Sequence, residues 1–373
     1  MRIGILTLPL HTNYGGILQA YSLQTVLERL GHEVVVIDIQ CRHKISFREA
    51  LTAYPRRVIS RYVLGRKFVV VRAEKYANYV DRVKRRNTQK FINRCIHCLE
   101  IKRVAQLNEK DYDAIVVGSD QIWRPQYAPK IEHSFLDFAE NWNIKRIAYA
   151  PSFGVDNWEY NELQTEHCKK LLEKFDAVSV REKSGVELCR KYLHHDALWV
   201  LDPTMLLQAD DYIKLFDSIG KTERREGIIF NYVLDPTEET EALTRLLAST
   251  LGLKTIRGNS KAEDSAAPLE KRIQPPVEQW LRNFANAKFV ITDSFHACVF
   301  SIMFKKQFLV VANKDRGIAR INSLLGYLGL GNRVVSNASI MKNLKAIDYD
   351  VVYKKLDVMR EKSIEFLNSA LNS

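Results

Sequence analysis

The stretch RIGILTLPLHTNYGGILQAYSLQTVLERLGHEVVVIDI, residues 2–39, predicts the fold class of the chain. It opens with the short apolar run RIGILTL, which is typical of a buried strand. Apolar residues then recur at helical spacing up to Gly31, a glycine placed to end a helix. The apolar run HEVVVIDI follows as a second strand. A strand, a helix and a strand of these lengths form a βαβ unit, and such units build parallel sheets.

The same alternation continues in two successive halves. In the first half, the runs YDAIVV, KRIAYA, FDAVSV and ALWVL predict further strands. The second half starts with GIIFNYVL and continues through LKTIRG, KFVIT and QFLVV. We therefore predict an α/β protein with two Rossmann-like domains that face a central cleft. The predicted first domain spans residues 1–207 and contains a basic helical insert at 42–103. The second spans 208–349, and a C-terminal helix follows at 350–373.

The composition of this 373-residue chain is that of a globular protein, with 46% hydrophobic and 27% charged residues. No apolar stretch approaches the roughly 20 residues that cross a bilayer. The N-terminus lacks the features of a signal peptide, so we expect a cytoplasmic protein that starts at Met1. The cysteines are scattered, and the pair Cys95 and Cys98 has no partner motif at zinc-site spacing. We therefore expect neither a disulfide framework nor a metal site.

Positive charge is concentrated in one segment of the chain. The net charge is +12, yet residues 42–103 alone hold 18 Lys and Arg against 4 Asp and Glu, with aromatic residues between them. The segment fits an ordinary solvated helical surface, or a surface that binds an anionic membrane, a diphosphate or nucleic acid. Because no nucleic-acid-binding motif is present, we favour peripheral contact with an anionic membrane and expect no nucleic-acid partner.

Polar residues follow several predicted strands, at the edge where open α/β sheets bind ligands. After the first strand, HTNYGG places two glycines at a helix N-terminus, which suits a phosphate, a sugar or a plain tight turn. Asp120, next to Ser119, follows another strand and would orient a sugar hydroxyl or cap the loop. Arg181 follows a third, where it would bind a carboxylate or phosphate, or pair with Glu182 at a helix start. The turn LDPT at 201–204 is predicted to be structural.

The stretch ITDSFHACVF, residues 291–300, places a histidine where a strand meets a helix. Asp293 or Ser294 would cap that helix without any catalytic role. A lone histidine is often structural, but the position of His296 after an acid and a hydroxyl favours function. A cationic cluster downstream suits a multiply charged anion docked near this histidine. Its members are Lys314, Arg316 and Arg320.

The motifs NYGGILQAYSLQ, VGSDQIW, APSFG, SVREKSG, LDPT and TDSFHACVFSIMF together resemble the polysaccharide pyruvyltransferase family, over about residues 3–330. Members transfer the enolpyruvyl-derived group of phosphoenolpyruvate to a sugar, form a pyruvate ketal across two hydroxyls and release phosphate. The resemblance implies a GT-B-like fold and a bacterial enzyme of capsule or exopolysaccharide biosynthesis. It also implies a sugar acceptor linked to polyprenyl diphosphate at the inner membrane face. Phosphoenolpyruvate is the expected co-substrate, with no cofactor.

The resemblance also implies donor-binding residues. His296 matches a family histidine placed to protonate the methylene carbon of the donor or to bind its phosphate. Arg181 matches an arginine associated with the donor. Some members carry an arginine two residues before the histidine, where this chain has Ser294, so one donor contact is missing or comes from elsewhere. We expect Arg320 to replace it, and after it Arg316 or Lys314.

On the acceptor side, Asp120 is the candidate that orients or deprotonates the sugar hydroxyl, which makes Asp120 and His296 the predicted catalytic residues. The other predicted acceptor contacts are Asn13, Tyr14, Gly15, Gly16 and Ser119. Three other functions stay open. They are a GT-B glycosyltransferase that uses a nucleotide sugar, an RNA-binding protein, and an inactive scaffold of a polysaccharide assembly complex, which Ser294 in place of the arginine would favour.

Overall fold

A computed structural model describes residues 1–40, 43–217, 227–313, 317–335 and 345–372. The first half of the chain forms a seven-stranded sheet. Its strands are β1 (Arg2–Leu6), β2 (Glu33–Ile39), β3 (Cys98–Ile101), β4 (Ala114–Val117), β5 (Lys145–Ala148), β6 (Ala177–Val180) and β7 (Leu198–Trp199). They lie in the order β3-β2-β1-β4-β5-β6-β7, and all neighbouring strands are parallel.

The second half forms a five-stranded parallel sheet of its own. Its strands are β8 (Ile228–Tyr232), β9 (Lys254–Arg257), β10 (Ala287–Thr292), β11 (Gln307–Val311) and β12 (Val334–Val335), in the order β12-β11-β10-β8-β9. The predicted α/β class with two Rossmann-like sheets is confirmed. The domain limits at residues 207 and 349 stay predictions, since the strands end well before each of them.

Twelve helices accompany the sheets in the described ranges. They are α1 (Tyr14–Arg29), α2 (Phe47–Val58), α3 (Ala73–Lys84), α4 (Arg86–Cys95), α5 (Glu162–Leu172), α6 (Lys183–Leu188), α7 (Ala209–Asp217), α8 (Glu238–Leu251), α9 (Val277–Asn286), α10 (Phe295–Met303), α11 (Ile318–Leu328) and α12 (Tyr349–Asn372). Helix α2 continues as a π-helical turn at Ile59–Val63. Helix α1 begins where the Asn13 side chain accepts a hydrogen bond from the Gly15 N–H, an ordinary N-cap.

The basic insert differs from its prediction at its C-terminal end. It was expected to be helical throughout, and that is wrong after Cys95, because Cys98–Ile101 forms the edge strand β3, parallel to β2. The buried side chains of Ile96 and Ile101 explain the difference, since they pack on the core while the segment's backbone pairs with β2. The insert therefore returns to the first sheet.

The two halves share a continuous apolar core. Tyr14 at the start of α1 stacks on Trp280 of α9, with ring centres 5.0 Å apart. Helix α12 follows the second half in sequence and contacts both halves. In the second half, the Tyr353 hydroxyl donates to the Met303 carbonyl at 2.8 Å. In the first half, the Leu201 N–H donates to the Ser363 hydroxyl at 3.0 Å, and Arg360 donates to the Met205 carbonyl at 2.7 Å. These contacts set how the two sheets face each other.

Candidate active site

A cleft lies between the two sheets, where β1, β4 and β10 end. Its cavity volume is ≈ 570 Å³, and residues of both halves line it. A smaller cavity of ≈ 210 Å³, bordered by Gly16, shares Asn13 and Asp120 with it. The strand-end pattern thus brings together residues that are distant in sequence. The predicted site residues that line the cleft are Asn13, Gly15, Asp120, Ser294, His296 and Arg320.

His296 belongs to the second half, but its ring contacts the first. It is the second residue of α10, which is capped by Ser294: the Ser294 hydroxyl oxygen accepts from the Ala297 N–H at 3.5 Å. The histidine is 6% exposed. Its Nε2 lies 3.5 Å from Oδ2 of Asp202, which forms an ion pair when the ring is protonated. Positive charge on His296 would therefore face a buried anion that stabilises it.

Gly15 provides the space that this histidine occupies. A Cβ atom built on Gly15 would lie 1.9 Å from Nδ1 of His296, which is far inside contact distance. A Cβ on the neighbouring Gly16 would lie 3.4 Å from its nearest atoms, on Asn13 and Asp120. The two adjacent glycines therefore differ. Gly15 permits the close packing of the two halves, and Gly16 borders the smaller cavity.

Two buried carboxylates hold Arg181 between them. Its Nη1 donates to Oδ2 of Asp202 at 2.6 Å, and its Nη2 donates to Oδ1 of Asp120 at 3.3 Å. The side chain is 1% exposed, so a direct contact with a donor would require one of these ion pairs to open. The predicted alternative was an ion pair between Arg181 and Glu182 at the start of α6. Glu182 instead accepts hydrogen bonds from the loop 152–154.

The arrangement controls the ionisation of these carboxylates. Burial alone would raise the pKa of Asp202, but His296 and Arg181 outweigh burial and hold that pKa far below its usual value. Burial also opposes ionisation of Asp120, but Arg181 and then His296 lower its pKa overall. Glu182 is the opposite case, since complete burial raises its pKa. Both aspartates therefore stay anionic near neutral pH, and each can hold a cation in place.

Arg320 is a cation that reaches the cleft from α11. It is 5% exposed, and its Nη1 lies 4.0 Å from Oδ1 of Asp120. Its guanidinium carbon lies 5.3 Å from the ring centre of Phe295, and that of Arg181 lies 4.7 Å from the same ring. Burial, and then the charge of Arg181, lower the pKa of Arg320 to about 10. The other two members of the predicted cationic cluster, Lys314 and Arg316, lie outside the described residues.

Asn13 is the predicted acceptor contact whose side chain reaches both the helix start and the cleft. Its Oδ1 accepts from the Gly15 N–H at 3.1 Å, and its Nδ2 donates to Oδ2 of Asp120 at 3.4 Å. Asp120 therefore presents one oxygen to the arginines and the other towards Asn13. Asp120 itself lines the cleft.

Tyr14 and Ser119 occupy positions behind the cleft wall. The Tyr14 hydroxyl donates to the Pro275 carbonyl at 2.8 Å, and burial raises its pKa. Ser119 is fully buried, and its hydroxyl donates to the Ala150 carbonyl at 2.8 Å. Acceptor contact by these two side chains would require them to leave those partners, so the structure brings neither to the site surface.

Asp202 is the site residue whose role the sequence analysis missed. The turn LDPT was expected to be structural, and one oxygen does serve the turn by accepting from the Thr204 N–H at 2.9 Å. The other oxygen contacts Arg181 and His296. Asp202 follows β7 directly after a buried pair, Val200 and Leu201, so its position at a strand end was the available signal.

The sequence left open whether Asp293 or Ser294 caps α10, and the structure gives the two residues different contacts. Ser294 caps α10, whereas Asp293 accepts hydrogen bonds from the Leu234 and Asp235 N–H groups at 2.7 and 3.0 Å. Those two amides belong to the loop after β8, and Leu234 lines the cleft. Asp293 therefore positions the cleft wall.

Buried polar atoms without a hydrogen bond occur beside the cleft and also elsewhere in the described part of the chain. Two of them, Gln121 Oε1 and His296 Nε2, belong to residues that line the cleft. Buried polar groups in folded proteins usually have partners, so these two atoms are candidates for contact with a ligand.

Potential metal ligands are dispersed over the described residues. Across these ranges, no group of three or more His, Cys, Asp or Glu residues is arranged to hold a metal ion. Cys95 and Cys98 are partly buried free thiols, and burial raises the pKa of Cys98 to about 12. Within the same ranges, no helix combines the length and the apolar character needed to cross a bilayer.

Comparison with protein families matches residues 13–315 to the family described as "Polysaccharide pyruvyl transferase". Comparison with curated proteins gives no match. The matched range contains most of the predicted site, from Asn13 to His296, but ends before Arg320.

Among solved structures, the chain is similar to the ADP-heptose LPS heptosyltransferase II of E. coli, at 11% identity and a TM-score of 0.37, over 97% of this chain and 99% of that one. It is also similar to the UDP-GlcNAc 2-epimerase from Neisseria meningitidis, at 9% identity and a TM-score of 0.46, over 99% and 94%. These likenesses concern the fold alone.

Proposed function

Because the chain belongs to the polysaccharide pyruvyl transferase family, we propose that it transfers the enolpyruvyl-derived group of phosphoenolpyruvate to a sugar. The product is a pyruvate ketal, and phosphate is released. The observation that supports this proposal best is that His296, paired with the buried Asp202, lines the same cleft as Arg320. A histidine held against a carboxylate can deliver a proton, and an arginine beside it can hold an anionic donor.

The donor carries a carboxylate and a phosphate on three carbons and needs more than one positive contact. Arg320 supplies the first. The N-terminus of α10 supplies the second, because the first backbone N–H groups of a helix attract anions and Ser294 lines the cleft there. Arg320 takes the place of the arginine that some family members carry at the position of Ser294, and this helix end adds to its contact. Arg181 then acts from behind the wall, where it holds Asp120 and Asp202 in position.

The reaction follows from these positions. His296 donates its proton to the methylene carbon of phosphoenolpyruvate, which becomes a methyl group and leaves the second carbon cation-like. A sugar hydroxyl adds to that carbon and gives its proton to the neutral imidazole of His296, which restores the protonated ring. The C–O bond to phosphate then breaks, a second hydroxyl closes the ketal, and its proton leaves with the phosphate. Asp202 stabilises the protonated histidine before transfer.

Asp120 orients the acceptor. Its lowered pKa keeps it ionised, and a carboxylate of low basicity accepts a hydrogen bond more readily than it removes a proton. Orientation is therefore favoured over deprotonation. Asn13 donates to Oδ2 of Asp120 and fixes that oxygen towards the cleft.

The acceptor is a sugar, which we place in capsule or exopolysaccharide assembly on a polyprenyl diphosphate carrier. Such a carrier would bring the enzyme to the inner face of the membrane. The test is phosphate release from phosphoenolpyruvate with a panel of galactose-, glucose- and mannose-type lipid-linked acceptors. Release that depends on acceptor supports the proposal. Stabilisation against heat by nucleotide sugars, and not by phosphoenolpyruvate, would favour a glycosyltransferase instead.

We expect Arg320→Ala to raise the Michaelis constant for phosphoenolpyruvate by about 10- to 100-fold, since a charge-assisted hydrogen bond contributes about 1.5–3 kcal/mol. The measurement is the dependence of phosphate release on donor concentration. Arg29→Ala is a suitable control, because Arg29 forms its ion pair with Asp211 on the surface. A Michaelis constant that stays at the wild-type value in Arg320→Ala would remove Arg320 from the donor site.

We expect Gly15→Ala to lower kcat about 100-fold, because displacing a reacting group by about 1 Å costs roughly that factor. The added methyl group would collide with the His296 ring. Gly326→Ala is the control, because a Cβ atom built on Gly326 meets no atom within 4 Å, and most of the activity should remain. Thermal unfolding checks that both variants are folded. Equal activity of the two variants would show that the ring position is not set by Gly15.

A further inference from the structure

Helix α2 and the turn Ile59–Val63 that continues it present an unburied apolar stripe. No residue of α2 or of this turn is buried. Phe47, Leu51, Val58 and Tyr62 recur at helical spacing along one face, and their exposure is 80%, 60%, 41% and 72%. A surface helix normally packs such a stripe against a core. Here, the described part of the chain provides nothing that covers it.

A second group of apolar side chains continues this surface beyond the helix. Val63, Leu64 and Phe68 are 74%, 60% and 83% exposed. The helix and the following segment are held together by polar contacts, since Arg57 pairs with Glu74 at 2.8 Å and Arg61 donates to the Val69 carbonyl at 2.8 Å. The exposed apolar surface therefore belongs to a helical hairpin with a defined shape.

Basic side chains surround the stripe. Arg48, Arg56, Arg66 and Lys67 are exposed, and no carboxylate of the described residues lies within ion-pair distance of them. From Ser46 to Arg72 the sequence contains one acidic residue, Glu49. The surface is thus both apolar and strongly cationic, which is the pattern of helices that lie in the interface of an anionic bilayer.

The base of this insert lies at the cleft. The Thr88 hydroxyl donates to the His11 carbonyl at 2.8 Å, and His11 borders the smaller cavity together with Asp120. On the other side, the Gln274 N–H donates to the Lys84 carbonyl at 2.8 Å, and Gln274 lines the main cleft. The insert therefore joins the exposed hairpin to both walls of the site opening.

We propose that residues 46–72 dock on an anionic bilayer, with the apolar stripe in the headgroup boundary, and hold the cleft opening beside a lipid-linked acceptor. This inference rests on the proposed function for the identity of the acceptor. The charge identifies the occupant. A second copy of the chain would bring two cationic surfaces together, which costs energy, whereas an anionic headgroup layer neutralises them.

The test is flotation of the full chain with vesicles of phosphatidylcholine containing phosphatidylglycerol, and with vesicles of phosphatidylcholine alone. One variant carries Leu51→Ser, Tyr62→Ser and Val63→Ser, and a second carries Arg48→Glu, Arg56→Glu and Lys67→Glu. We expect wild type to float with the anionic vesicles, and each variant to lose at least about tenfold in bound fraction. Leu163→Ser is the control, because Leu163 is 84% exposed on α5, and it should bind as wild type does.

Several outcomes would overturn the docking proposal. Two concern flotation: wild type does not float, or wild type and both variants float equally. The other two concern different partners. One is self-association that the serine variant abolishes while vesicles stay unbound, and the other is salt-dependent RNA binding without vesicle binding. Phosphate release is measured separately with a water-soluble acceptor. Vesicle binding without phosphate release would contradict the proposed function and leave docking intact. Phosphate release without vesicle binding would contradict docking and leave the proposed function intact.

Discussion

Replacing His296 with glutamine should lower kcat for phosphate release by about 10²- to 10⁴-fold, the usual contribution of a positioned proton donor. Glutamine keeps a polar group near Asp202 and requires no more space at Gly15, so the fold should persist. The reaction loses only its source of the proton for the methylene carbon. The Michaelis constant for phosphoenolpyruvate should change little, since Arg320 and the start of α10 remain.

His133→Gln is the matched control for this variant. His133 also pairs with a carboxylate, Asp137 at 2.7 Å, but it does not line the cleft. We expect it to keep wild-type activity. Binding of phosphoenolpyruvate, followed as a rise in Tm, should persist in His296→Gln. If His296→Gln kept wild-type kcat, another group would supply the proton and the proposed mechanism would fail.

The sequence was sufficient for the fold because the central parallel strands of each sheet are buried and almost wholly apolar. Runs such as FVI before Thr292 and IVV before Gly118 are continuously apolar, so they predict strands that are covered on both faces. The edge strand β3 was missed because it lacks such an apolar run. It lies within a segment rich in charge, where Leu99 and Glu100 are exposed and no continuous apolar run marks it.

The candidate site was predicted in part. Strand ends identified Asp120, Arg181 and His296, because parallel strands bring their carboxyl ends to one edge. Spacing along the chain does not reveal how side chains of two halves interlock. The contact of Gly15 with His296, and the burial of Arg181 between two carboxylates, depend on how the halves pack. In the proposed function, the burial of Arg181 favours a positioning role over the predicted direct contact with the donor.

Asp202→Asn should lower kcat by about 10²- to 10⁴-fold while the fold is kept. Asparagine can still accept from the Thr204 N–H, but it no longer offers a charge to His296. Replacing the aspartate of a catalytic triad by asparagine has an effect of about this size through the same kind of contact. Asp202→Ala should in addition be less stable by about 3–5 kcal/mol, since it leaves the buried Arg181 with a lost partner.

The stability of the protein should also depend on pH through Asp202. Because the folded-state pKa of Asp202 is lowered, its contribution to stability is present above about pH 4, the usual range of an aspartate. It is lost as the pH falls towards the folded-state value. The Tm difference between wild type and Asp202→Asn should therefore stay constant from pH 8 to about pH 5 and shrink only in acid. An unchanged kcat in Asp202→Asn would show that the carboxylate serves the turn alone.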